Sequence, residues 1–227
     1  LGFGCLLYKC DLSRAYRQIP IDPGDLHMLG FRWKDYLFFD RVLTFELRSA
    51  AMCCQRTTNA VSFLHRMAGY FLINYLDDFG GAEEKLKAHE AFYALRQLLS
   101  DLGLVEAEEK CCAPSTSMIF LGILLDSVNM TMSIPIEKLH EIKQILLLWC
   151  GKSSASKREI QSLIGRLQFA AQCVKPGRIF ISRMLEHLRS LSHCSQDEMN
   201  QLPISFLQDV VWWIRFMEKY NGISIIP

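Results

Sequence analysis

Two adjacent aspartates at the end of an apolar run constrain the fold of this chain more than any other feature. Apolar and aromatic residues fill most of positions 70–76, Asp77 and Asp78 follow, and Gly80-Gly81 comes shortly afterwards. β-Prone residues that end in a polar pair and then glycine predict a hairpin with the two aspartates at its tip. Adjacent carboxylates repel each other and resist burial, and a divalent cation that prefers oxygen ligands relieves this conflict. The sequence therefore predicts a metal site at the tip.

A third carboxylate, Asp11, also ends a short apolar run and is the first candidate to complete such a site. Residues 11–16 (Asp-Leu-Ser-Arg-Ala-Tyr) resemble the first catalytic motif in the palm of reverse transcriptases. Residues 75–78 (Tyr-Leu-Asp-Asp) resemble the Tyr-x-Asp-Asp box of the same family. Each motif alone recurs by chance, whereas the two in this order are specific. The resemblance extends from Leu6 to about Pro227.

Positions 43–51 lie where that family has its second motif. Phe45, Ser49 and Ala50 match the motif, whereas Glu46 stands in place of a glycine. The glycine lets the backbone approach the incoming nucleotide, and a side chain obstructs that approach. A carboxylate at ~4–6 Å from a triphosphate would also cost on the order of 1–4 kcal/mol of binding through charge repulsion. Glu46 is therefore expected to weaken polymerase activity.

The Leu-Gly-Leu-Val segment at 102–105, with the Glu-Lys pair that ends at Lys110, resembles the fourth motif of the family. The resemblance places Lys110 near the nucleotide, where it is the candidate proton donor to the departing pyrophosphate. The residues alone equally allow a surface lysine paired with Glu108 or Glu109.

Residues 120–122 (Phe-Leu-Gly) resemble the primer grip of the family, in which Gly122 lets the primer backbone come close. A β-bulge is the alternative reason for a glycine in such a strand. Residues 163–170 and 176–178 resemble the thumb of DIRS-like, tyrosine-recombinase retrotransposons, and Arg166 is a candidate nucleic-acid contact there.

Periodicity and resemblance together predict an α+β fold: a polymerase palm with an antiparallel sheet backed by helices around a ferredoxin-like core, followed by an all-α thumb. The predicted domains are a palm with a partial fingers hairpin at 1–134, a helical thumb at 135–191, and a helix and linker at 192–227 that leads toward an absent ribonuclease H domain. The chain is expected to begin too late to include the rest of the fingers.

Three local predictions accompany this fold. The aromatic residues of 29–40 form two short strands and are expected to pack in a core, with contact to nucleic-acid bases as the alternative. Residues 156–159 (Ser-Lys-Arg-Glu) form a capping box that starts a helix, and Gly165 in that helix permits close contact with a neighbouring helix. The segments 152–155 and 192–203 are expected to be linkers.

The resemblance implies an RNA-directed DNA polymerase that uses two Mg²⁺ (or Mn²⁺) ions. Its implied partners are an RNA or DNA template with a primer and deoxynucleoside triphosphates, with no membrane partner and no indication of oligomeric state. The implied metal ligands are the carboxylates of Asp11, Asp77 and Asp78 and the backbone carbonyl of Leu12. The implied nucleotide contacts are Leu12, Tyr16 and Phe45, although core packing is an alternative role for Tyr16. The implied primer or template contacts are Tyr75, Phe120, Leu121, Gly122 and Arg166.

The net charge of +1 identifies no partner, but the charge is unevenly distributed. Residues 70–109 contain three basic and nine acidic residues, whereas residues 137–190 contain ten basic and four acidic residues. An acidic half that holds metal and a basic half that holds a phosphate backbone suit a polymerase. Two ordinary solvated helical faces explain the charges equally well.

The nine cysteines are scattered without C-x-x-C spacing, which favours buried free thiols over a metal site. No run approaches the ~18 apolar residues of a membrane span, and no signal-peptide pattern is present at the start. We therefore expect an intracellular protein, cytoplasmic or nuclear and not secreted.

Two other functions stay open. One is a catalytically inactive nucleic-acid-binding remnant of a mobile element, which Glu46 and the missing fingers favour. The other is a metal hydrolase that uses the paired carboxylates. A hydrolase needs a nearby base, and no histidine lies within ten residues of Asp77.

Overall fold

The computed structural model describes residues 1–45, 47–219 and 221–225, apart from the side chain of Glu218. It has the predicted α+β fold and divides into two compact units, Leu1–Leu121 and Gly122–Pro227. The predicted domains at 1–134, 135–191 and 192–227 were defined by expected function and not by compactness. These boundaries stay a prediction. Within the described residues, no helix has the length and apolar character needed to cross a membrane.

The first unit is built on one antiparallel sheet. The strands of the unit are β1 (Leu6–Asp11), β2 (Gly30–Trp33), β3 (Tyr36–Phe39), β4 (Leu72–Tyr75), β5 (Asp78–Glu83), β6 (Cys112–Ser115) and β7 (Ser117–Phe120), of which four form the main sheet. Its helices are α1 (Ala50–Met67) and α2 (Ala88–Asp101), with 3₁₀ turns at Ala15–Gln18, Pro23–Leu29 and Glu108–Lys110. The main sheet has the order β4-β5-β1-β6, so β1 and β5 lie in its interior.

The core of this unit forms where α1 and α2 pack on that sheet. Its buried side chains include Tyr8, Leu72, Phe79, Val61 and Leu95. Burial of large apolar side chains like these is the main favourable contribution to folding, at about 1.5–3 kcal/mol each. This packing fixes β1 and β5, the two strands that carry the candidate carboxylates.

Two consecutive glycines in β5 allow other side chains to approach the sheet closely. A Cβ at Gly81 would lie 2.1 Å from the ring of Tyr8, and a Cβ at Gly80 would lie 2.9 Å from the ring of Phe120. The Gly80-Gly81 pair therefore belongs to the strand, not to the turn, because aromatic rings occupy the space that side chains would fill.

The β2–β3 hairpin corrects one sequence prediction. All eight residues of its two strands are exposed, including Trp33 at 66% and Tyr36 at 69%. The expected core packing of these aromatics is wrong, because the two strands form a separate two-stranded sheet. The rings instead pack against each other, with Phe31 and Phe38 stacked at a centroid distance of 5.5 Å.

The second unit has its own helical core. Its elements are β8 (Ile123–Asp126), β9 (Thr131–Ser133), α3 (Ile136–Cys150), β10 (Ser154–Ser156), α4 (Lys157–Ala170), α5 (Gly177–Ser190), β11 (Met199–Gln201), α6 (Ile204–Lys219) and β12 (Ile223–Ser224). The predicted capping box is present: the Ser156 side chain accepts from the Glu159 backbone N–H, and the Glu159 side chain accepts from that of Ser156. The two segments predicted as linkers contribute β10 and β11, which pair with each other.

Two glycines of this unit have opposite surroundings. A Cβ at Gly165 would meet no atom within 4 Å, so the expected close helix contact at this position is wrong. A Cβ at Gly177 would lie 2.1 Å from the ring of Trp213, which is completely buried. The first residue of α5 is therefore restricted by packing, whereas Gly165 is a helix-weakening residue on an open surface.

We expect Gly177→Ala to lower the free energy of unfolding by about 1–3 kcal/mol, because the new methyl group must displace a buried indole. The matched variant Gly165→Ala should raise it by roughly 0.5–1 kcal/mol, since alanine favours the helix and meets open space. Urea unfolding of both variants measures the difference. Equal effects of the two substitutions would contradict the packing described for Gly177.

Candidate active site

The three candidate aspartates come together at one end of the main sheet. Antiparallel pairing of β1 with β5 places Asp11 directly opposite Asp78. The backbone N–H of Leu12 donates to the carbonyl of Asp77 at 3.1 Å, so Asp77 lies beside the end of the same strand. Three acidic residues that are far apart in the sequence are therefore neighbours in the fold.

A strained two-residue turn presents the adjacent aspartates. Leu76 and Asp77 form the turn of the β4–β5 hairpin, between the paired residues Tyr75 and Asp78. Leu76 has a φ of 51°, which is uncommon for a residue with a side chain. The side-chain oxygen of Gln55 on α1 accepts from the backbone N–H of Leu76 at 2.8 Å and helps to hold this conformation. Backbone strain of this kind is concentrated at functional sites.

The carboxylates perturb one another. The pKa of Asp78 is raised by burial and by the negative charges of Asp11 and Asp77, and it is partly lowered by Lys9 and Lys110. Lys110 Nζ lies 3.3 Å from Asp11 Oδ2, and the three aspartates raise the pKa of this ammonium, chiefly through its hydrogen bond to Asp11. Lys110 therefore lies beside the candidate site, and its role as a proton donor stays a prediction.

The chemistry of this cluster fits a divalent cation. Asp11 is 6% exposed, and its Oδ1 atom is buried without a hydrogen-bond partner among the described residues. A buried carboxylate oxygen without a partner carries a large desolvation cost, which coordination by a hard cation removes. The aspartates are not gathered into one tight set, since the only group of three potential ligand atoms found within 4.8 Å in the described part of the chain is formed by other residues.

Aromatic side chains stand next to the carboxylates. Tyr16 is half-buried, and its ring lies 5.4 Å from that of Phe45, which is 66% exposed. Burial, followed by the charges of Cys54, Asp77 and Tyr75, raises the pKa of Tyr16. The predicted nucleotide contacts Tyr16 and Phe45 therefore lie together near the aspartates. The predicted obstruction by Glu46 lies outside the described residues.

The other predicted nucleic-acid contacts have varied surroundings. Tyr75 is 58% exposed on β4, whereas Phe120 is buried at 9% and packs against Gly80. Leu121 is exposed and has a φ of 48°, and Gly122 has a φ of 78°, so a turn rather than a β-bulge explains the glycine. Arg166 lies in the second unit, where its guanidinium forms an ion pair with Glu141 at 2.5 Å.

Sequence reasoning did not identify two glutamines that position the site. Gln55 holds the Leu76 turn, as described above. Gln18 forms two hydrogen bonds with the backbone of Val105, accepting from its N–H at 2.7 Å and donating to its carbonyl at 2.8 Å. These bonds tie the first motif to the segment that leads to Lys110. The sequence around these glutamines has no pattern that marks them, and glutamine alone is too common to interpret.

Comparison with known proteins adds the class of fold. No protein-family model and no curated protein matches this sequence. Among solved structures, the chain is similar to a foamy viral protease-reverse transcriptase dRH in complex with double-stranded DNA, with a TM-score of 0.76 and 16% identity over 99% of this chain. It is also similar to the foamy viral protease-reverse transcriptase with an RNA/DNA hybrid (TM-score 0.72, 17% identity, 96% of this chain) and with double-stranded DNA (0.70, 16%, 96%).

The chain therefore has a reverse transcriptase-like fold. It spans 37%, 28% and 43% of the lengths of these three neighbours. At this level of identity the similarity shows the fold and not the activity.

Proposed function

We propose that this chain is the palm and thumb of an RNA-directed DNA polymerase, and that it derives from a DIRS-like retrotransposon. The observation that carries the proposal is the meeting of Asp11, Asp77 and Asp78 at the end of a sheet whose fold is that of reverse transcriptases. The DIRS-like origin rests on the resemblance of residues 163–170 and 176–178.

In this proposal, Asp11 and Asp77 hold two Mg²⁺ or Mn²⁺ ions, with Asp78 and the carbonyl of Leu12 as further ligands. When bound, such ions increase the acidity of a primer 3′-hydroxyl and stabilise negative charge on pyrophosphate. The protein contributes the orientation of these ligands through the β1–β5 register and the Gln55 bond to Leu76. Lys110 is protonated beside Asp11 and can donate a proton to the leaving group.

Each unit carries its own candidate contacts with nucleotide or nucleic acid. Tyr16 and Phe45 form the aromatic surface proposed to contact the deoxynucleoside triphosphate. Tyr75 and Leu121 are exposed and available to the primer, and Gly122 provides a turn without a side chain. The basic charge of residues 137–190 suits backbone binding to a template–primer duplex. The neighbours' complexes with double-stranded DNA and an RNA/DNA hybrid support this choice of partner.

A second candidate function is duplex binding without catalysis. The substitution of glutamate for glycine at position 46 favours it, because a carboxylate there opposes a triphosphate. In this case the palm and thumb retain their fold and their nucleic-acid surface but do not extend a primer.

Primer extension separates the two functions. We expect the purified chain to extend a DNA primer on an RNA template with Mg²⁺ or Mn²⁺, and Asp77→Ala to abolish extension. The control Asp101→Ala changes an aspartate at the exposed end of α2, bonded to Gln97, and should leave extension unchanged. Duplex binding without extension by the unmodified chain would support the non-catalytic function. Failure to bind any duplex would contradict both.

Lys110 gives a second prediction. Lys110→Leu should lower the extension rate by about 10²-fold, since proton donation by a positioned side chain contributes about 10²–10⁴-fold. Lys110→Arg keeps a positive charge beside Asp11 but is a poor proton donor at neutral pH. Single-turnover extension rates distinguish the roles: a rate restored by arginine would show that only the charge matters.

A further inference from the structure

Two cysteine thiols and a carboxylate form a candidate metal-ligand set beside β1, distinct from the three aspartates. Sulfur atoms of Cys10 and Cys111 and a carboxylate oxygen of Glu106 all lie within 4.8 Å of one another. Cys10 is completely buried, and the other two are half-buried. Two thiolates and a carboxylate are a ligand set for zinc, whereas Mg²⁺ prefers oxygen alone.

From this geometry we propose that Cys10, Glu106 and Cys111 form a structural Zn²⁺ site that fastens the strand carrying Asp11 to the segment carrying Lys110. The proposal does not depend on polymerase activity, because the ligands are distinct from the candidate catalytic residues. The carbonyl oxygen of Ala107 lies 3.5 Å from Cys111 Sγ and provides a fourth donor within reach.

The surrounding contacts orient these ligands. Arg96 Nε donates to Glu106 Oε1 at 2.7 Å, which leaves Oε2 directed at Cys111 Sγ at 3.5 Å. Hydrogen-bond partners that orient the metal ligands in this way are typical of metal sites.

With both thiols ionised, the charges of the cluster balance when one divalent cation is bound. Two thiolates and the Glu106 carboxylate carry three negative charges, the Arg96 guanidinium carries one positive charge, and Zn²⁺ supplies the remaining two. Binding of the metal would release the protons of the two thiols.

The site joins three parts of the chain. Cys10 belongs to β1, Glu106 forms a β-bridge with Leu12, and Cys111 follows the 3₁₀ turn that ends at Lys110. The Ala107 backbone N–H also donates to the Asp11 carbonyl at 2.7 Å. Zinc would therefore restrict the relative positions of Asp11 and Lys110. Sequence reasoning favoured buried free thiols over a cysteine metal site, because these ligands lie far apart along the chain and lack C-x-x-C spacing.

Zinc binding by the full chain tests the proposal. The protein, purified under reducing conditions and given Zn²⁺, should retain about one equivalent after dialysis by elemental analysis. Cys111→Ser and Glu106→Gln should each weaken zinc affinity by at least about tenfold in competition with a chromophoric chelator. Cys112→Ser is the matched control, since its thiol is adjacent in sequence, bonds the Ala113 carbonyl and is not in the ligand set found among the described residues. This variant should bind zinc as the unmodified chain does.

Further measurements keep the test decisive if Cys10→Ser fails to fold. Co²⁺ in place of Zn²⁺ should give a thiolate-to-cobalt charge-transfer band in the unmodified chain and in Cys112→Ser, but not in Cys111→Ser. Asp77→Asn should retain full zinc binding, which separates this site from the aspartates. The proposal is overturned if the chain retains no zinc, or if Cys112→Ser loses as much zinc affinity as Cys111→Ser. It is also overturned if the thiols become reactive toward an alkylating reagent only after a reductant, and not after a chelator, is added. That result would indicate a Cys10–Cys111 disulfide.

Discussion

Asp11→Asn is expected to reduce primer extension by about 10³-fold while leaving the melting temperature unchanged or higher. Coordination by a buried carboxylate contributes several kcal/mol to a metal-assisted reaction, and each ~1.4 kcal/mol corresponds to a tenfold change in rate. Asparagine retains the shape of the side chain but removes one of the negative charges that bind the metal ions.

Stability should move in the opposite direction because the native cluster is repulsive. Asp11 and Asp77 both raise the pKa of Asp78, and Asp11 Oδ1 is buried without a hydrogen-bond partner in the described structure. The ion pair that would be lost involves Lys110, whose side chain is 56% exposed, and exposed pairs contribute little. A loss of activity caused by unfolding would instead lower the melting temperature, so the two explanations are distinguishable.

Thermal unfolding and single-turnover extension of the same preparations provide the test. Asp101→Asn serves as the control, and both quantities should be unchanged in it. Extension by Asp11→Asn within about threefold of the unmodified chain would remove Asp11 from the proposed metal site.

The same repulsion predicts a pH dependence of stability in the presence of a chelator. The pKa of Asp78 is raised in the folded state, so ionisation of this group disfavours folding. Its destabilising effect is absent below the unfolded pKa of ~3.9, grows as the pH rises toward the folded value, and is complete above it. Asp11→Asn should make unfolding less dependent on pH in this range, as measured by urea unfolding at several pH values. An unchanged dependence would show that Asp11 does not influence Asp78.

The parts of the site that sequence reasoning identified are those encoded by local patterns. Asp77 and Asp78 follow a β-prone run, and Asp11 ends another, so the motif predicted both the hairpin and its neighbour strand. The capping box at Ser156 is equally local and is present. The antiparallel sheet and the helical second unit followed from periodicity and from the resemblance.

The parts that were wrong or missed depend on tertiary packing. The aromatic residues of β2 and β3 have the composition of core strands but form a separate two-stranded sheet. Composition does not reveal whether a hairpin joins the main sheet. The local sequence around Gly165 and Gly177 does not reveal how either is packed, yet only Gly177 faces a buried indole. The Cys10, Glu106 and Cys111 cluster arises from strand register and cannot be found by spacing.

A buried ion pair in the second unit leads to the largest expected change in stability. Asp209 on α6 has a side chain with no solvent exposure, and the Arg183 guanidinium on α5 binds both of its oxygens, with Nε 3.0 Å from Oδ2. Burial raises the pKa of Asp209, and Arg183 partly counteracts this effect. The arginine therefore compensates a carboxylate that water cannot solvate.

Arg183→Met should lower the free energy of unfolding at neutral pH by about 3 kcal/mol, at the lower end of the 3–5 kcal/mol found when one partner of a buried pair is removed. The lower end applies because Arg183 itself is 48% exposed, so its replacement allows some water to reach Asp209. The double variant Arg183→Met/Asp209→Leu should recover most of the loss, since it leaves no uncompensated charge. Arg178→Met, on the exposed side of the same helix, is the matched control.

The pH dependence of the Arg183→Met defect identifies its cause. Without the arginine, the pKa of Asp209 in the folded state rises further above the unfolded value of ~3.9. The penalty is then absent below that unfolded value and increases as the pH rises toward the folded value. Urea unfolding should therefore show a defect that is large at neutral pH and small near pH ~4. A defect of equal size at both pH values would mean that Arg183 stabilises the helices through packing of its aliphatic stem and not through its charge.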